Sequence, residues 1–81
     1  MHRYETGFEG LRLVVDVHAS HCDVFVYDPD QCEVLYTGQR MNLEMAKLAA
    51  IEFGALIRFG PQHDLKASVL AEMLAWAMLS I

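Results

Sequence analysis

The spacing of apolar side chains changes once along the chain, from a period of two to a period of about 3.6. Between residues 11 and 38, short valine-rich runs alternate apolar with polar positions, as in Leu11 to Val17. Alternation places successive side chains on opposite faces of a strand, so each run predicts a β-strand with one buried face. Turn-forming residues, such as the Asp-Pro pair at 28–29, separate the runs. We therefore predict a three-stranded antiparallel meander over 11–38.

The residues before and after this meander follow different patterns. Residues 1–10 are polar and contain two glycines, which predicts a loosely held lead-in. From Asn42, a good helix N-cap, apolar positions follow a helical period until a Gly-Pro pair ends them, which predicts a helix over 42–59. Asp64 is a second N-cap candidate and predicts a helix over 64–80. The predicted fold class is α+β, with the order β-β-β-α-α in a single domain.

Both predicted helices have more apolar surface than helices with one solvated side usually show, and a chain of 81 residues offers little protein to cover it. The second helix is apolar on two opposite sides, and the first carries large apolar residues among its charges. One interpretation is that the helices, the sheet and the lead-in cover one another. The interpretation that we favour is self-association, most simply as a two-fold homodimer. The predicted self-association surface comprises Leu48, Ile51, Phe59, Leu70, Leu74, Trp76, Met78 and Ile81.

The charge of the chain is concentrated in its first part. The net charge is −5, and residues 1–33 hold seven acidic residues against two arginines, whereas the remainder is balanced. Binding of nucleic acid through its phosphates needs clustered Lys and Arg side chains, so this small acidic protein is predicted not to bind nucleic acid. The apolar runs are too short for a membrane span of about 20 residues. The first ten residues do not resemble a secretory signal, and two cysteines do not make a disulfide scaffold, so we expect a cytoplasmic protein.

The predicted sheet has one face that combines acidic with apolar side chains. Such a face is common on an antiparallel sheet with one wetted side. It is also compatible with sheet-on-sheet packing in an oligomer, or with an inhibitor or antitoxin that docks a basic partner there. The candidate partner-binding residues are Asp16, Asp23, Phe25, Tyr27, Glu33 and Leu35.

The stretch from residue 11 to residue 57 predicts a hairpin followed by a helix that contains Glu44, Ala46 and Lys47. In this order of elements it resembles small bacterial β-β-β-α domains, including the partial RNase H-like fold of HicB-type antitoxins. The resemblance implies an inhibitor that acts by binding a protein partner. The sequence departs from that family because it lacks the glycine- and proline-containing stretch before the helix and continues into a second apolar helix.

The connection between the first two predicted strands carries side chains that bind metals. His18, His21 and Cys22 are candidate ligands for a metal ion such as zinc. Their spacing, His-x-x-His-Cys, matches no standard zinc pattern, and a fourth ligand would have to come from elsewhere. A solvated polar loop is the alternative interpretation.

The sequence lacks the residue patterns that catalysis usually requires. A nucleophile needs an adjacent base, but Cys22 follows His21 directly and would point to the opposite face of a strand. Ser20 lies near both histidines without an acid at a recognisable spacing to orient them, and no glycine-rich phosphate loop follows a strand. We therefore predict a non-enzymatic protein–protein interaction domain without a cofactor.

Overall fold

The computed structural model describes residues 2–80. Its elements, in chain order, are β1 (His2–Phe8), β2 (Leu11–Val17), β3 (Cys22–Asp28), β4 (Glu33–Arg40), α1 (Leu43–Phe59), α2 (Ala67–Met73) and β5 (Ala77–Ser80). Across the sheet the strands follow the order β4-β3-β2-β1-β5, and every neighbouring pair is antiparallel. Helix α1 packs across β2 and β3, and α2 packs beside α1. We call the sheet face that carries α1 the inner face and the opposite one the outer face.

The protein is α+β, but the predicted β-β-β-α-α arrangement is wrong because the sheet has five strands. The lead-in predicted over 1–10 is largely the strand β1, which pairs along its whole described length with β2. A tight turn at Glu9 and Gly10, with φ of 49° and 78°, joins the two strands. Both turn residues thus have the positive φ that a type I′ hairpin turn requires. The polar composition of β1 suggested a loop, although its alternate residues Tyr4 and Phe8 pack against the core.

The predicted helix over 64–80 is also wrong over most of its length. Helix α2 spans only Ala67–Met73, and the chain is extended at Leu74 (φ −78°, ψ 137°) before it enters β5. Strand β5 pairs with the first part of β1, and Thr6 Oγ1 donates a hydrogen bond to the backbone oxygen of Ala75 at 2.8 Å. The backbone groups along this side of β1 need partners, and a longer helix would leave them unpaired. Pairing with β1 therefore replaces the helical conformation that the apolar pattern alone indicates.

Helix α1 begins and ends at residues suited to those positions. Asn42 Oδ1 accepts a hydrogen bond from the backbone N–H of Met45 at 2.9 Å, and so caps one of the free N–H groups of the first turn. Gly60 ends the helix with φ of 80°, a conformation that glycine adopts without strain. Within residues 2–80, neither helix combines the length and the hydropathy that crossing a membrane would require.

Small residues allow α1 to lie close to the inner face of the sheet. The buried small residues of the helix are Ala46, Ala49, Ala50, Gly54 and Ala55. The sheet residues in the same core are Phe8, Leu11, Leu13, Val15, Cys22, Val24 and Val26. Ile51 has no exposed surface and belongs to the same core. Its place in the predicted self-association surface is therefore wrong, because this side chain is buried within one copy of the chain.

Candidate functional site

The outer face of the sheet carries four of the six predicted partner-binding residues. Asp16 of β2 lies opposite Asp23 of β3, and Phe25 and Tyr27 follow at alternate positions of the same strand. Both aromatic side chains are half-buried, and together with Val14 they line part of a shallow depression. The predicted combination of charged and apolar groups is thus present, on a face that no helix covers within residues 2–80.

The other two predicted partner-binding residues lie on the edge strand β4. A register shift in the pairing of β3 with β4 leaves Leu35 without an opposite residue of its own. Glu33 lies opposite Asp28, at the end of β3 that is farthest from Asp23. A β-bulge adds one residue to a strand and interrupts its alternation, which is why the period-two pattern misplaces these two residues.

Arginines of β1 and β2 neutralise much of the acidic charge predicted for the outer face. Arg3 donates two hydrogen bonds to Asp16, from Nε to Oδ1 at 2.7 Å and from Nη2 to Oδ2 at 2.9 Å. Arg12 Nη1 donates a hydrogen bond to Glu5 Oε1 at 3.2 Å. With Asp23 included, the outer face carries three carboxylates, those of Glu5, Asp16 and Asp23, and the two guanidinium groups of these arginines. The face therefore has a weaker negative field than the charge of residues 1–33 suggests.

The Arg3–Asp16 pair makes the stability of the fold depend on pH. Asp16 is 6% exposed, and its hydrogen bonds with Arg3 hold the pKa of Asp16 below the ordinary aspartate value. A carboxylate with a lower pKa in the folded state stabilises the fold above its unfolded pKa, and this stabilisation is lost as the pH falls through the folded pKa.

We expect Arg3→Gln to lower the free energy of unfolding by about 1–2 kcal/mol near neutral pH. The value is below that of a fully buried pair because the Arg3 side chain is 37% exposed to screening solvent. Below the ordinary aspartate pKa of about 4, the difference between the variant and the unaltered protein should shrink as Asp16 becomes protonated. Urea unfolding at neutral and acidic pH measures both values.

Arg12→Gln is the matched control for this prediction. Arg12 makes the corresponding ion pair with Glu5, but its side chain is 52% exposed. We expect a change of less than about 0.5 kcal/mol, as for most exposed ion pairs. Equal losses in the two variants, or a loss in Arg3→Gln that stays constant on acidification, would contradict the role given to Asp16.

Three side chains that can bind a metal meet at the turn between β2 and β3. His18 Nε2 lies 2.9 Å from Asp23 Oδ2, and His21 Nε2 lies 3.4 Å from Asp23 Oδ1. The two imidazole rings stack with their centroids 4.8 Å apart and their planes at 23°. We call His18, His21 and Asp23 the turn cluster.

Cys22, the third predicted metal ligand, is separated from the two histidines. Adjacent residues of a strand point to opposite faces, so Cys22 enters the core, where it is 3% exposed, while Asp23 points to the outer face. Burial raises the pKa of the Cys22 thiol, which disfavours the thiolate that binds metals. Asp23 therefore takes the position in the cluster that the sequence assigned to Cys22.

Ser20 extends the turn cluster by one contact. Its Oγ lies 3.2 Å from His21 Nδ1, and the other ring nitrogen of His21 faces Asp23. The order hydroxyl, imidazole, carboxylate also occurs in nucleophilic catalysis, and the acid in it was not recognisable from sequence spacing. Ser20 is exposed at a turn, however, whereas acyl transfer also needs oxyanion donors in a site that excludes water. The contact carries no argument for an enzyme.

The two edges of the sheet differ in their protection against further pairing. Strand β4 carries Glu33 and Arg40 and contains the bulge, which are features that discourage edge-to-edge contact. Every residue of β5 is exposed, and none is charged. Its side chains include Met78 and Leu79, which are 55% and 46% exposed. Among residues 2–80, β5 pairs with β1 on one edge, and no strand pairs with its other edge. We call this unpaired edge the free edge of β5.

The residues predicted for self-association are divided between the core and the surface. Those that are partly buried and pack against the core are Leu70, Leu74 and Trp76. Leu48 is also partly buried, and Phe59 is 49% exposed with its ring edge-on to Phe8. Met78 lies in β5, whereas Ile81 lies outside the described residues.

Comparison of this chain with protein-family models, with curated proteins and with solved structures gives no match. The resemblance of residues 11–57 to HicB-type antitoxins therefore receives no support from these comparisons.

Proposed function

We propose that this chain is a protein–protein interaction domain that forms a two-fold homodimer through the free edge of β5. The observation that carries the proposal is an edge strand of four exposed, uncharged residues, whose free edge has no partner strand among residues 2–80. Unpaired edge groups readily accept a further strand, and most proteins protect such edges with charges, bulges or covering segments.

The charges around β5 favour a second copy of the chain as the occupant. Between Ala67 and Ser80 the sequence has one charged residue, Glu72. Two copies that each carry a net charge of −5 can therefore meet here with little opposition from like charges. Antiparallel pairing of β5 with its own copy closes around a two-fold axis and extends the sheet from one molecule into the next.

Large apolar side chains are exposed both on β5 and on α2, the helix that precedes it in the chain. Val69 and Met73 of α2, which precede β5 in the chain, are 51% and 73% exposed. Met78 and Leu79 of β5 supply the large apolar groups that a stable interface needs in addition to backbone hydrogen bonds, and an interface that extends to α2 would also bury Val69 and Met73. An inhibitor that holds a basic partner on the outer face is less favoured, because Arg3 and Arg12 already pair with carboxylates there.

The mass in solution tests this proposal. We expect light scattering after size-exclusion chromatography to give twice the monomer mass of 9.2 kDa. Ala77→Lys should give a monomer that remains folded. The new lysine lies opposite Glu5 of β1, so it can form a cross-strand ion pair within one copy, while it places like charges at the edge where two copies meet.

Thr37→Lys is the matched control, because Thr37 is an exposed residue of β4, the other edge strand. This variant should remain a dimer. Circular dichroism and thermal unfolding verify that both variants fold. A well-folded monomer for the unaltered protein, or a dimer that persists in folded Ala77→Lys, would overturn the proposal.

A further inference from the structure

We propose that His18, His21 and Asp23 bind a divalent transition-metal ion, of which Zn²⁺ is the representative, at the turn between β2 and β3. This site is independent of the free edge of β5 and of the dimer proposed above, because none of its three residues belongs to β5 or α2.

The backbone of the turn holds the two histidines on the same side. Four residues connect β2 with β3, and the backbone N–H of His18 donates a hydrogen bond to the backbone oxygen of His21 at 2.9 Å. This bond closes the turn and brings the imidazole rings into the stacked arrangement described above. Asp23 follows His21 at the alternate position, so its carboxylate projects toward the same rings.

The donor atoms are close to the separations that a shared ion requires. Zinc binds imidazole nitrogen and carboxylate oxygen at about 2.0–2.2 Å, which puts neighbouring ligand atoms of a tetrahedron about 3.3–3.5 Å apart. The two nitrogen–carboxylate distances in the cluster are 2.9 and 3.4 Å. All three donor atoms lie within 4.8 Å of one another, so modest rotation of the side chains is enough to enclose an ion.

The Arg3–Asp16 pair leaves Asp23 available for this role. Asp16 lies directly opposite Asp23 in the sheet, but both of its carboxylate oxygens accept hydrogen bonds from Arg3. The described ion pairs of Asp23 are with the two histidines alone. The Asp16 carboxylate is therefore already neutralised by Arg3. The Asp23 carboxylate faces the two imidazole rings, and all three groups can bind one metal ion.

The chemistry of the donor set indicates the class of ion. Two imidazoles and one carboxylate suit zinc and related first-row ions, whereas Mg²⁺ and Ca²⁺ prefer oxygen ligands throughout. The three side chains are between 27% and 37% exposed, so an ion can enter from solvent and water can complete its coordination. Cys22 lies in the core and does not contribute a thiolate.

Calorimetric titration of Zn²⁺ into protein that is free of affinity tags and has been treated with a chelator tests the site. We expect one ion per chain, with affinity at least about tenfold lower in Asp23→Asn and in His21→Ala. His63→Ala is the matched control, because His63 lies in the connection between α1 and α2, and it should bind as the unaltered protein does. Thermal unfolding of each variant verifies its fold.

Two further measurements on the unaltered protein do not depend on any variant. Zn²⁺ should shift the imidazole NMR signals of His18 and His21 and leave those of His63 in place. Bound Co²⁺ should show visible absorption without a thiolate charge-transfer band, because no cysteine is a ligand. Absence of binding, equal affinity in folded Asp23→Asn, or a thiolate band would each overturn the proposal.

Discussion

Replacing Ile51 with alanine is expected to lower the free energy of unfolding by about 2–5 kcal/mol, the largest effect that we predict for a single substitution here. Ile51 has no exposed surface and lies among the small residues of α1 and the large side chains of β2 and β3. Its truncation removes apolar contacts and leaves a cavity, because the backbone of a sheet and a helix in close contact cannot collapse into the space. Urea unfolding measures the change.

Leu56→Ala is the matched control within the same helix. Leu56 is 41% exposed, so its truncation should cost less than about 1 kcal/mol. The comparison also distinguishes a core position of Ile51 from a position in an interface between copies. If Ile51 lay in an interface between copies, its truncation would change the mass in solution and leave the free energy of unfolding of the monomer nearly unaltered. That result would contradict the core position of Ile51.

Gly54→Val is the second substitution with a large expected effect, a loss of about 1–3 kcal/mol in the free energy of unfolding. A Cβ atom at Gly54 would lie 3.2 Å from Leu13 Cδ2 and 3.2 Å from Phe8 Cδ2. Both neighbours are buried in the core, so the branched side chain of valine has no space to enter. The helix would have to move away from the sheet, and thermal unfolding would show a lower midpoint.

Gly7→Val provides the control for this second prediction. Gly7 lies in β1, and a Cβ atom there would meet no other atom within 4 Å. Valine is favoured over glycine in strands, so the variant should be as stable as the unaltered protein or more stable by up to about 1 kcal/mol. Comparable losses in Gly7→Val and Gly54→Val would show that the contact of α1 with Leu13 and Phe8 is not the cause.

The parts of the fold that the sequence predicts are those formed by neighbouring segments. Alternation over 11–38 places β2 and β3 correctly because each pairs with the next strand through a short connection. The pattern of apolar positions does not reveal β1, although β1 forms a hairpin with the neighbouring β2, because its residues are mostly polar. It does not reveal β5 either, because β5 pairs with β1 across almost the whole chain. The polar residues of β1 resemble a loop, and the apolar residues of β5 fit a helix equally well, so only the assembled sheet decides between the alternatives.

The candidate metal site could be predicted in part for the same reason. The sequence places His18 and His21 together because they belong to one short turn. It selects Cys22 by residue type, although the alternation of a strand directs Cys22 to one face and both His21 and Asp23 to the other. The role of Asp16 could not be foreseen, since its partner Arg3 lies in a strand that the sequence did not reveal.

The pairing of β1 with β5 also bears on the order in which the molecule assembles. The hydrogen bond from Thr6 to Ala75 spans 69 residues, and closing a loop of that length first would cost about 2–3 kcal/mol more in chain entropy than closing a short hairpin. Until the meander and α1 have brought the two segments together, pairing of β5 is disfavoured. Strand β1 is then the edge of the sheet in place of β5, so a folding chain exposes a different surface to its neighbours than the finished molecule does.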